Sequence, residues 1–195
     1  LMSATPIPRT LTMSVYGDMD VSIIKEKPSN RKEVKTYSKL ENKIDDVLNF
    51  VKKEIKEGNQ VFWVCPLIEE SKKLDHQSSV NKYKFLEKLF PKKVALLHGK
   101  VDNDEKEKIL NKFLKKEYSI LVSTTIIEVG IDFPNANVII IENANKFGLS
   151  QLHQLRGRVG RGTKQASCIL MFKSNLSINV KKRINILKNS NDGFE

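Results

Sequence analysis

Short, fully apolar runs that alternate with amphipathic segments constrain the fold of this chain more than any other feature. Five such runs stand out, each bounded by polar or turn-forming residues: Val61–Val64, Val94–Leu97, Ile120–Val122, Val138–Ile141 and Ile169–Phe172. Continuous apolar strands are typical of a parallel sheet that is buried on both faces. Because helical segments separate the runs, we predict an α/β fold with a doubly wound parallel sheet.

The segments between the runs follow the 3.6-residue period of an amphipathic helix. Residues 42–57 form one such segment, which ends at Gly58. A polar loop is predicted over residues 69–79, followed by a second helix whose apolar positions are Val80, Tyr83, Leu86, Leu89 and Phe90. Asp102, with Glu105 three positions later, predicts a capping box at the start of a third helix. That helix is predicted to bury four side chains: Ile109, Leu110, Phe113 and Leu114.

The chain is strongly basic, with 34 Lys and Arg residues, 23 Asp and Glu residues and a net charge of +11. The excess favours an anionic partner such as nucleic acid, although lysines on amphipathic helices are also ordinary solvated surface. Cys65 and Cys168 lie in separate apolar stretches without metal-ligand spacing, and we interpret them as buried residues in a reducing cytoplasm. No apolar run approaches the roughly 20 residues that span a bilayer, so no membrane partner is expected.

Polar residues follow two of the predicted strands directly. His98 follows the run that ends at Leu97, and Ser123, Thr124 and Thr125 follow the run that ends at Val122. In parallel sheets, ligands bind beyond the carboxyl ends of the strands. Hydroxyl groups at that edge can donate hydrogen bonds to a phosphate, as can backbone amides. Helix capping by the threonines and a packing role for the histidine remain the alternatives.

Three arginines and three glycines crowd into residues 156–162. Each glycine costs a helix about 1 kcal/mol relative to alanine, so helix stability does not explain this composition. Glycine allows close approach to the backbone, and arginine offers a planar fork of donors that suits phosphate. The stretch therefore predicts a place where a polyanion comes near the main chain. A solvated basic turn is the alternative interpretation.

The pattern Gln154-x-x-Gly157-Arg158-x-Gly160-Arg161 resembles motif VI of superfamily 2 helicases. In those proteins, the arginines reach across a cleft to the γ-phosphate of ATP held by a neighbouring lobe. The resemblance implies that Arg158 and Arg161 are the catalytic γ-phosphate sensors and that Gln154 orients them. It also implies a second RecA-like helicase lobe as the fold.

Residues 122–134 resemble motif V of the same helicases. The resemblance implies that Ser123, Thr124 and Thr125 hold a DNA phosphate, and we assign the same role to His98 from its place directly after a strand. The motif V resemblance further implies that Gly130 and Asp132 line the nucleotide, and Gly157 of the motif VI stretch is assigned to the nucleotide as well. Near the start of the chain, a short stretch resembles motif III, which couples the ATP state to DNA grip: Ser3, Ala4 and Thr5.

The phosphate-binding pattern G-x-x-x-x-G-K-[ST] is absent from the chain. No Asp-Glu pair closes an apolar strand either, so the carboxylates that hold magnesium in phosphoryl transfer are missing. ATP and Mg²⁺ are therefore expected to be bound mainly by a first helicase lobe. The isolated chain is expected to be inactive as an ATPase.

Longer stretches resemble the RecG family of bacterial DNA helicases: residues 16–22, 61–71, 147–161 and 191–195. The resemblance implies an ATP-driven translocase on double-stranded DNA that remodels stalled replication forks and Holliday junctions in recombination and repair. Its partners would be branched DNA and the first helicase lobe and wedge domain of the same protein.

The resemblance also predicts the organisation of the chain. Residues 1–30 would be the tail of the first lobe and a linker, residues 31–175 the second RecA-like lobe, and residues 176–195 the start of a helical element. Two alternatives stay open at this point. One is the translocase lobe of a transcription-repair coupling factor, and the other is a nucleic-acid-binding module without a part in catalysis.

Overall fold

The computed structural model describes residues 32–66, 72–99, 101–124, 133–174 and 176–189. The strands in these ranges are β1 Lys35–Leu40, β2 Gln60–Val64, β3 Val94–Leu97, β4 Ile120–Ser123, β5 Ala136–Ile141 and β6 Ser167–Phe172. The helices are α1 Ile44–Lys56, α2 Lys72–Leu89, α3 Asn103–Leu114, α4 Leu149–Arg156 and α5 Ile178–Asn189, with short 3₁₀ turns at Glu41–Lys43 and Ala144–Lys146. The strands form one sheet in the order β1-β6-β5-β2-β4-β3.

Every neighbouring pair of strands in the sheet is parallel. Val61 of β2 lies beside Ile120 of β4 on one side and Val138 of β5 on the other. Strands β2, β4 and β5 are buried along their whole length, as their uninterrupted apolar sequences predict. At the sheet's far edge, β1 pairs with β6, where Lys35 lies beside Ser167. The predicted parallel sheet is confirmed.

Helices cover both faces of the sheet. Successive strand residues point to opposite faces, so Phe62 and Trp63 of β2 belong to different apolar clusters. Helices α1 and α2 pack on the face of Trp63, where α2 contributes Leu86. Helices α3, α4 and α5 pack on the opposite face, where the ring of Phe113 lies 5.4 Å from that of Phe62. Burial of both faces confirms the doubly wound α/β fold.

The predicted start of the third helix is confirmed by its cap. The Asp102 carboxylate accepts a hydrogen bond from the backbone amide of Glu105 at 2.7 Å, at the start of α3. Two of the four predicted core residues of α3 are fully buried: Leu110 and Phe113. Ile109 is only partly buried, and Leu114 is 37% exposed, so its predicted burial is wrong.

Helix α2 begins at Lys72, so the predicted polar loop is wrong from that residue onward. Residues 72–89 contain no proline or glycine, and a polar run without helix-breaking residues is compatible with a helix on the protein surface. Ser79 is fully buried and precedes Leu86 on the packed side of α2. Leu89 is 40% exposed, so the buried stripe of this helix also differs from the predicted one.

Several sequence predictions lie outside the described residues. They are the tail and linker over residues 1–30 and six individual residues with predicted roles: Ser3, Ala4, Thr5, Thr125, Gly130 and Asp132. Within the predicted terminal helical element, α5 is present and buries Ile184 and Leu187 against the sheet.

Candidate functional site

Residues 157–166, here called the arginine loop, connect the end of α4 to the start of β6. The loop contacts residues that directly precede other strands. Gly162 lies against the carbonyl group of Pro134, just ahead of β5. The Lys164 ammonium donates a hydrogen bond to the backbone oxygen of Glu57, just ahead of β2, at 3.1 Å. Because all strands are parallel, the arginine loop lies at the amino-terminal edge of the sheet.

Helix α4 fixes where the arginine loop begins. Gly148, the residue that precedes the helix, donates from its backbone nitrogen to the Gln151 side chain at 2.9 Å, which caps the helix start. Leu152 and Leu155 are buried and hold the helix on the sheet. Gln154 is half-buried one turn before Gly157, which ends the helix in a right-handed helical conformation. The structure therefore brings the predicted orienting glutamine next to the start of the loop.

Two glycines of the loop are required by contacts within the protein. Gly160 has φ +73°, and a Cβ there would lie 3.0 Å from the Ala166 side chain and 3.2 Å from Val34. A Cβ on Gly162 would lie 2.8 Å from the backbone oxygen of Pro134, closer than such atoms pack. The close approach predicted from these glycines therefore occurs, but the partner is the chain's own backbone and side chains. The prediction of a polyanion beside the main chain is not needed to explain them.

Arg158 and Arg161 form a cationic pair on the loop. Arg158 is half-buried and Arg161 is exposed. Burial lowers the pKa of the Arg158 guanidinium, and the positive charge of Arg161 lowers it further. The Nε of Arg158 is buried and has no hydrogen-bond partner among the described residues. Two adjacent cations, one with an unused buried donor, form a site that can bind an anion such as a phosphate.

Arg156 has a different role from its neighbours. It is only 6% exposed, and burial lowers the pKa of its guanidinium. Its Nη1 donates to the backbone oxygen of Leu187 at 2.6 Å, and its Nη2 lies 3.1 Å from Nδ1 of His153. The side chain therefore ties the end of α4 to the end of α5. Sequence reasoning missed this contact because the partner is a backbone group 31 positions away.

The predicted DNA contacts lie at the other edge of the sheet. Ser123 ends β4, and Thr124 follows it and donates from its backbone nitrogen to the oxygen of Leu97 at 3.4 Å. Both hydroxyl residues are buried, with Thr124 5% exposed. His98, directly after β3, is half-buried. The structure brings these three residues together at the carboxyl-terminal edge, opposite the arginine loop, while Thr125 lies beyond the described ranges.

The residues assigned to the nucleotide by the helicase resemblance are only partly described. Gly157 lies at the end of α4. Gly130 and Asp132 are outside the described ranges, but Pro134, two positions after Asp132, contacts Gly162 of the arginine loop. The end of the stretch that resembles motif V is thus in contact with the loop that carries motif VI.

A buried ion pair at the carboxyl-terminal edge was missed by sequence reasoning. The Lys82 ammonium of α2 lies 2.6 Å from the carboxylate of Glu142, with side chains 22% and 10% exposed. The Cys65 thiol donates to the same carboxylate at 3.8 Å, and Lys82 lies over the ring of Trp63 at 5.4 Å. Burial, reinforced by the charge of Glu142, raises the pKa of the Cys65 thiol and keeps it neutral. The available signal was an acidic residue directly after the apolar run of β5.

Within the described parts of the chain, no group of three or more His, Cys, Asp or Glu side chains is placed to hold a metal ion. The helices described here include none that is both long and apolar enough to cross a membrane.

A parallel sheet with helices on both faces and an arginine loop at its amino-terminal edge is the architecture of a RecA-like helicase lobe. The profile of the Helicase conserved C-terminal domain matches residues 42–163, more than half of the chain. The chain belongs to this family.

Within that class, the chain is similar over its whole length to proteins named ATP-dependent DNA helicase RecG. It is 50% identical over 196 residues to that of Bacillus subtilis, covering 100% of this chain and 29% of the relative. The relative from Aquifex aeolicus is 51% identical over 200 residues, covering 100% and 25%. That of Escherichia coli K12 is 45% identical over 196 residues, covering 100% and 28%. The predicted resemblance to RecG is confirmed, and the chain spans less than a third of these relatives.

Solved structures lead to the same class. The structure of RecG bound to a three-way DNA junction has a TM-score of 0.83 and 45% identity, covering 99% of this chain and 25% of the other. S. cerevisiae Dbp5 bound to RNA and ADP BeF3 has a TM-score of 0.67 at 19% identity, covering 96% of this chain and 48% of the other. The second likeness shows the fold alone.

Proposed function

We propose that this chain acts as the C-terminal motor lobe of an ATP-dependent DNA helicase of the RecG kind, within a longer protein. The observation that carries the proposal is the Arg158–Arg161 pair. Arg158 has a buried Nε without a hydrogen-bond partner among the described residues, and the positive charge of Arg161 lies next to it. The similarity to RecG across the whole chain supports the same assignment.

The proposed chemistry belongs to the arginine pair. When the bond to the terminal phosphoryl group of ATP breaks, negative charge develops on the transferred oxygens and on the leaving group. A guanidinium fork stabilises that charge if it is already in place, because a preorganised donor needs no reorganisation. Arg158 and Arg161 supply this charge from the amino-terminal edge of the lobe, and Gln154 orients them.

In this proposal, the nucleotide is shared between two lobes of one protein. The chain lacks a phosphate-binding loop, so the first lobe holds the ATP phosphates and the carboxylates that bind Mg²⁺. Gly130, Asp132 and Gly157 line the nucleotide from this side. The motif III residues Ser3 and Thr5 belong to the connection that links the nucleotide state to DNA grip.

DNA is assigned to the opposite edge of the sheet. The chain ends of β3 and β4 place His98 and Thr124 there, and backbone amides at such an edge suit phosphate oxygens. Net charge of +11 supports a polyanionic partner. Because the similar RecG structure is bound to a three-way junction, we propose branched duplex DNA as the substrate and the cytoplasm as the location. A wedge domain of the same protein would split the branch.

The two alternatives are less well supported. The relatives reported above are named RecG and not transcription-repair coupling factors, with identities of 45–51% over nearly the entire chain. Their names are also those of ATP-dependent enzymes, which does not favour a nucleic-acid-binding module that takes no part in catalysis.

The test uses the full-length protein that carries this chain, with DNA-stimulated ATP hydrolysis as the assay. Arg158→Ala and Arg161→Ala should each reduce the rate strongly, because an arginine finger contributes on the order of 10³–10⁵ in other nucleotide hydrolases. Lysine at either position should rescue poorly, since it keeps the charge and loses the planar fork. Lys182→Ala, an exposed cation on α5, is the matched control.

Binding of ATP and of a model fork should change little in the arginine variants, because the first lobe holds the nucleotide and the other edge holds the DNA. Near-parental hydrolysis by both alanine variants would show that the pair is not the catalytic cation. The loop would then be a DNA contact or a solvated turn.

A further inference from the structure

A polar network lies directly beneath the arginine loop, at the starts of β2 and β5. Its centre is Asn59, which is 6% exposed. The Asn59 side-chain oxygen accepts two hydrogen bonds, from the Asn137 amide at 3.0 Å and from the Lys164 ammonium at 3.1 Å. Its amide nitrogen donates to the Glu54 carboxylate at 2.7 Å. The network therefore joins α1, β5 and the arginine loop through one side chain.

Lys164 is the only contribution of the loop to this network among the described contacts. Its side chain is exposed at the surface, yet its ammonium is fixed by two acceptors at 3.1 Å, the backbone oxygen of Glu57 and the oxygen of Asn59. Asn137, the other donor to Asn59, is 1% exposed and is the second residue of β5. The strand that follows motif V and the loop that carries motif VI thus share one acceptor.

We infer that Lys164 is a positioning residue for the Arg158–Arg161 pair and acts by fastening the far end of the arginine loop to Asn59. The inference rests on the proposed function, because it assumes that the arginines meet a phosphoryl group. Lys164 itself touches no substrate in this scheme. It sets where the two guanidinium groups stand relative to the start of β5.

The geometry explains why the loop needs this attachment. Arg156 holds the near end of the loop through the backbone of Leu187. At the far end, Gln165 bonds the backbone oxygen of Glu33 at 2.6 Å, and Lys164 provides the link toward β2 and β5. Without Lys164, the residues between Arg158 and the start of β6 lose these side-chain hydrogen bonds and keep the packing of Gly162 on Pro134. Misplacement of a catalytic group by about 1 Å can reduce a rate about 100-fold.

The experiment compares Lys164→Met and Lys164→Arg in the full-length protein, with Lys56→Met as the control on an exposed lysine of α1. In Lys164→Met, kcat of DNA-stimulated ATP hydrolysis should fall about 10- to 100-fold, while KM for ATP and the affinity for a model fork stay near parental values. Affinity for ADP with aluminium fluoride, which mimics the transferring phosphoryl group, should fall in parallel with kcat. Lys164→Arg should recover most of the loss, since a guanidinium keeps the charge and has several donors for the two acceptors.

A double-mutant cycle with Asn59→Ala separates positioning from general destabilisation. If Lys164 acts through Asn59, adding Lys164→Met to Asn59→Ala should lower kcat little further. Additive losses, or a kcat of Lys164→Met equal to that of Lys56→Met, would overturn the inference. In that case Arg158→Ala would still abolish hydrolysis if the proposed function holds. Near-parental hydrolysis by Arg158→Ala would instead remove the proposed function itself.

Discussion

Removal of the Arg156 side chain should destabilise the lobe far more than removal of either neighbouring arginine. Arg156→Met keeps most of the apolar length of the side chain and deletes the guanidinium. The backbone oxygen of Leu187, which accepts from Arg156 at 2.6 Å, would then lose its charged donor. Leu187 itself is fully buried, so water cannot easily replace that donor.

The expected loss follows from the environment of this hydrogen bond. A hydrogen bond from a charged donor contributes about 1.5–3 kcal/mol to stability. Leaving a buried carbonyl without a donor costs a similar amount, and the two figures describe the same loss and are not added. In the parent protein, burial of the Arg156 guanidinium also costs desolvation free energy, which is why its pKa is lowered. Arg156→Met removes that cost, so the net loss of stability is smaller than the full value of the hydrogen bond. We therefore expect a decrease of about 2 kcal/mol in the free energy of unfolding, a large share of the 5–15 kcal/mol typical of a domain.

Urea unfolding of the 195-residue chain, followed by circular dichroism, measures this change. With slopes of about 1–3 kcal/mol per molar urea, the midpoint should fall by about 1 M in Arg156→Met. Arg161→Met is the matched control, because Arg161 is exposed, and its midpoint should stay near that of the parent. Equal midpoints for Arg156→Met and the parent would mean that the contact between α4 and α5 does not hold the lobe together.

Three further changes test individual features of the structure. Gly162→Ala should lower the free energy of unfolding by about 1–3 kcal/mol in urea titrations, because its Cβ would lie 2.8 Å from the Pro134 oxygen; unchanged stability would contradict that contact. Asp102→Ala should cost about 1 kcal/mol in the same assay, and Asp102→Asn much less, because either oxygen can cap α3. Burial raises the pKa of Cys168 from its ordinary 9.0 to about 12. The neutral thiol therefore stabilises the fold fully below pH 9, and that contribution decreases as pH rises from 9 to about 12, by up to about 1.4 kcal/mol per pH unit. Cys168→Ala should show a correspondingly shallower loss of stability between pH 8 and pH 10.5, and identical slopes would count against the burial of the thiol.

Five of the six described strands were predictable from sequence because each is set by its own apolar residues, whereas the polar edge strand β1 carries no such run. Five apolar runs became strands within two residues at either end, since burial on both faces demands uninterrupted apolar side chains. The start of α3 was equally local, because Asp102 caps the helix that it precedes. The start of α2 was not predictable in this way. A polar run is compatible with both a loop and an exposed helix, and burial of Ser79 depends on where α2 meets the sheet.

The candidate site was predictable in composition but not in arrangement. The arginine loop was recognisable from its residues, yet its position depends on Gly162 meeting Pro134 and Lys164 meeting Asn59, contacts between segments distant in sequence. The motif pattern left Arg156 outside the two sensor positions, but it did not predict that Arg156 is a buried brace or that Arg158 is half-buried with an unused donor. The roles of both Arg158 and Arg161 in hydrolysis stay predictions.

The pairing of β1 with β6 has a consequence for how the chain is made. Lys35 and Ser167 are neighbours in the sheet but 132 positions apart in the chain. At the usual speed of protein synthesis, roughly 10 s pass between the emergence of the two strands from a ribosome. During that interval β1 lacks β6, the strand with which it pairs among the described residues, and its charged Lys35 and Lys39 discourage pairing with strands of other nascent chains. β1, the first of the six described strands to be synthesised, therefore joins the sheet only after β6, the last of them, has been synthesised.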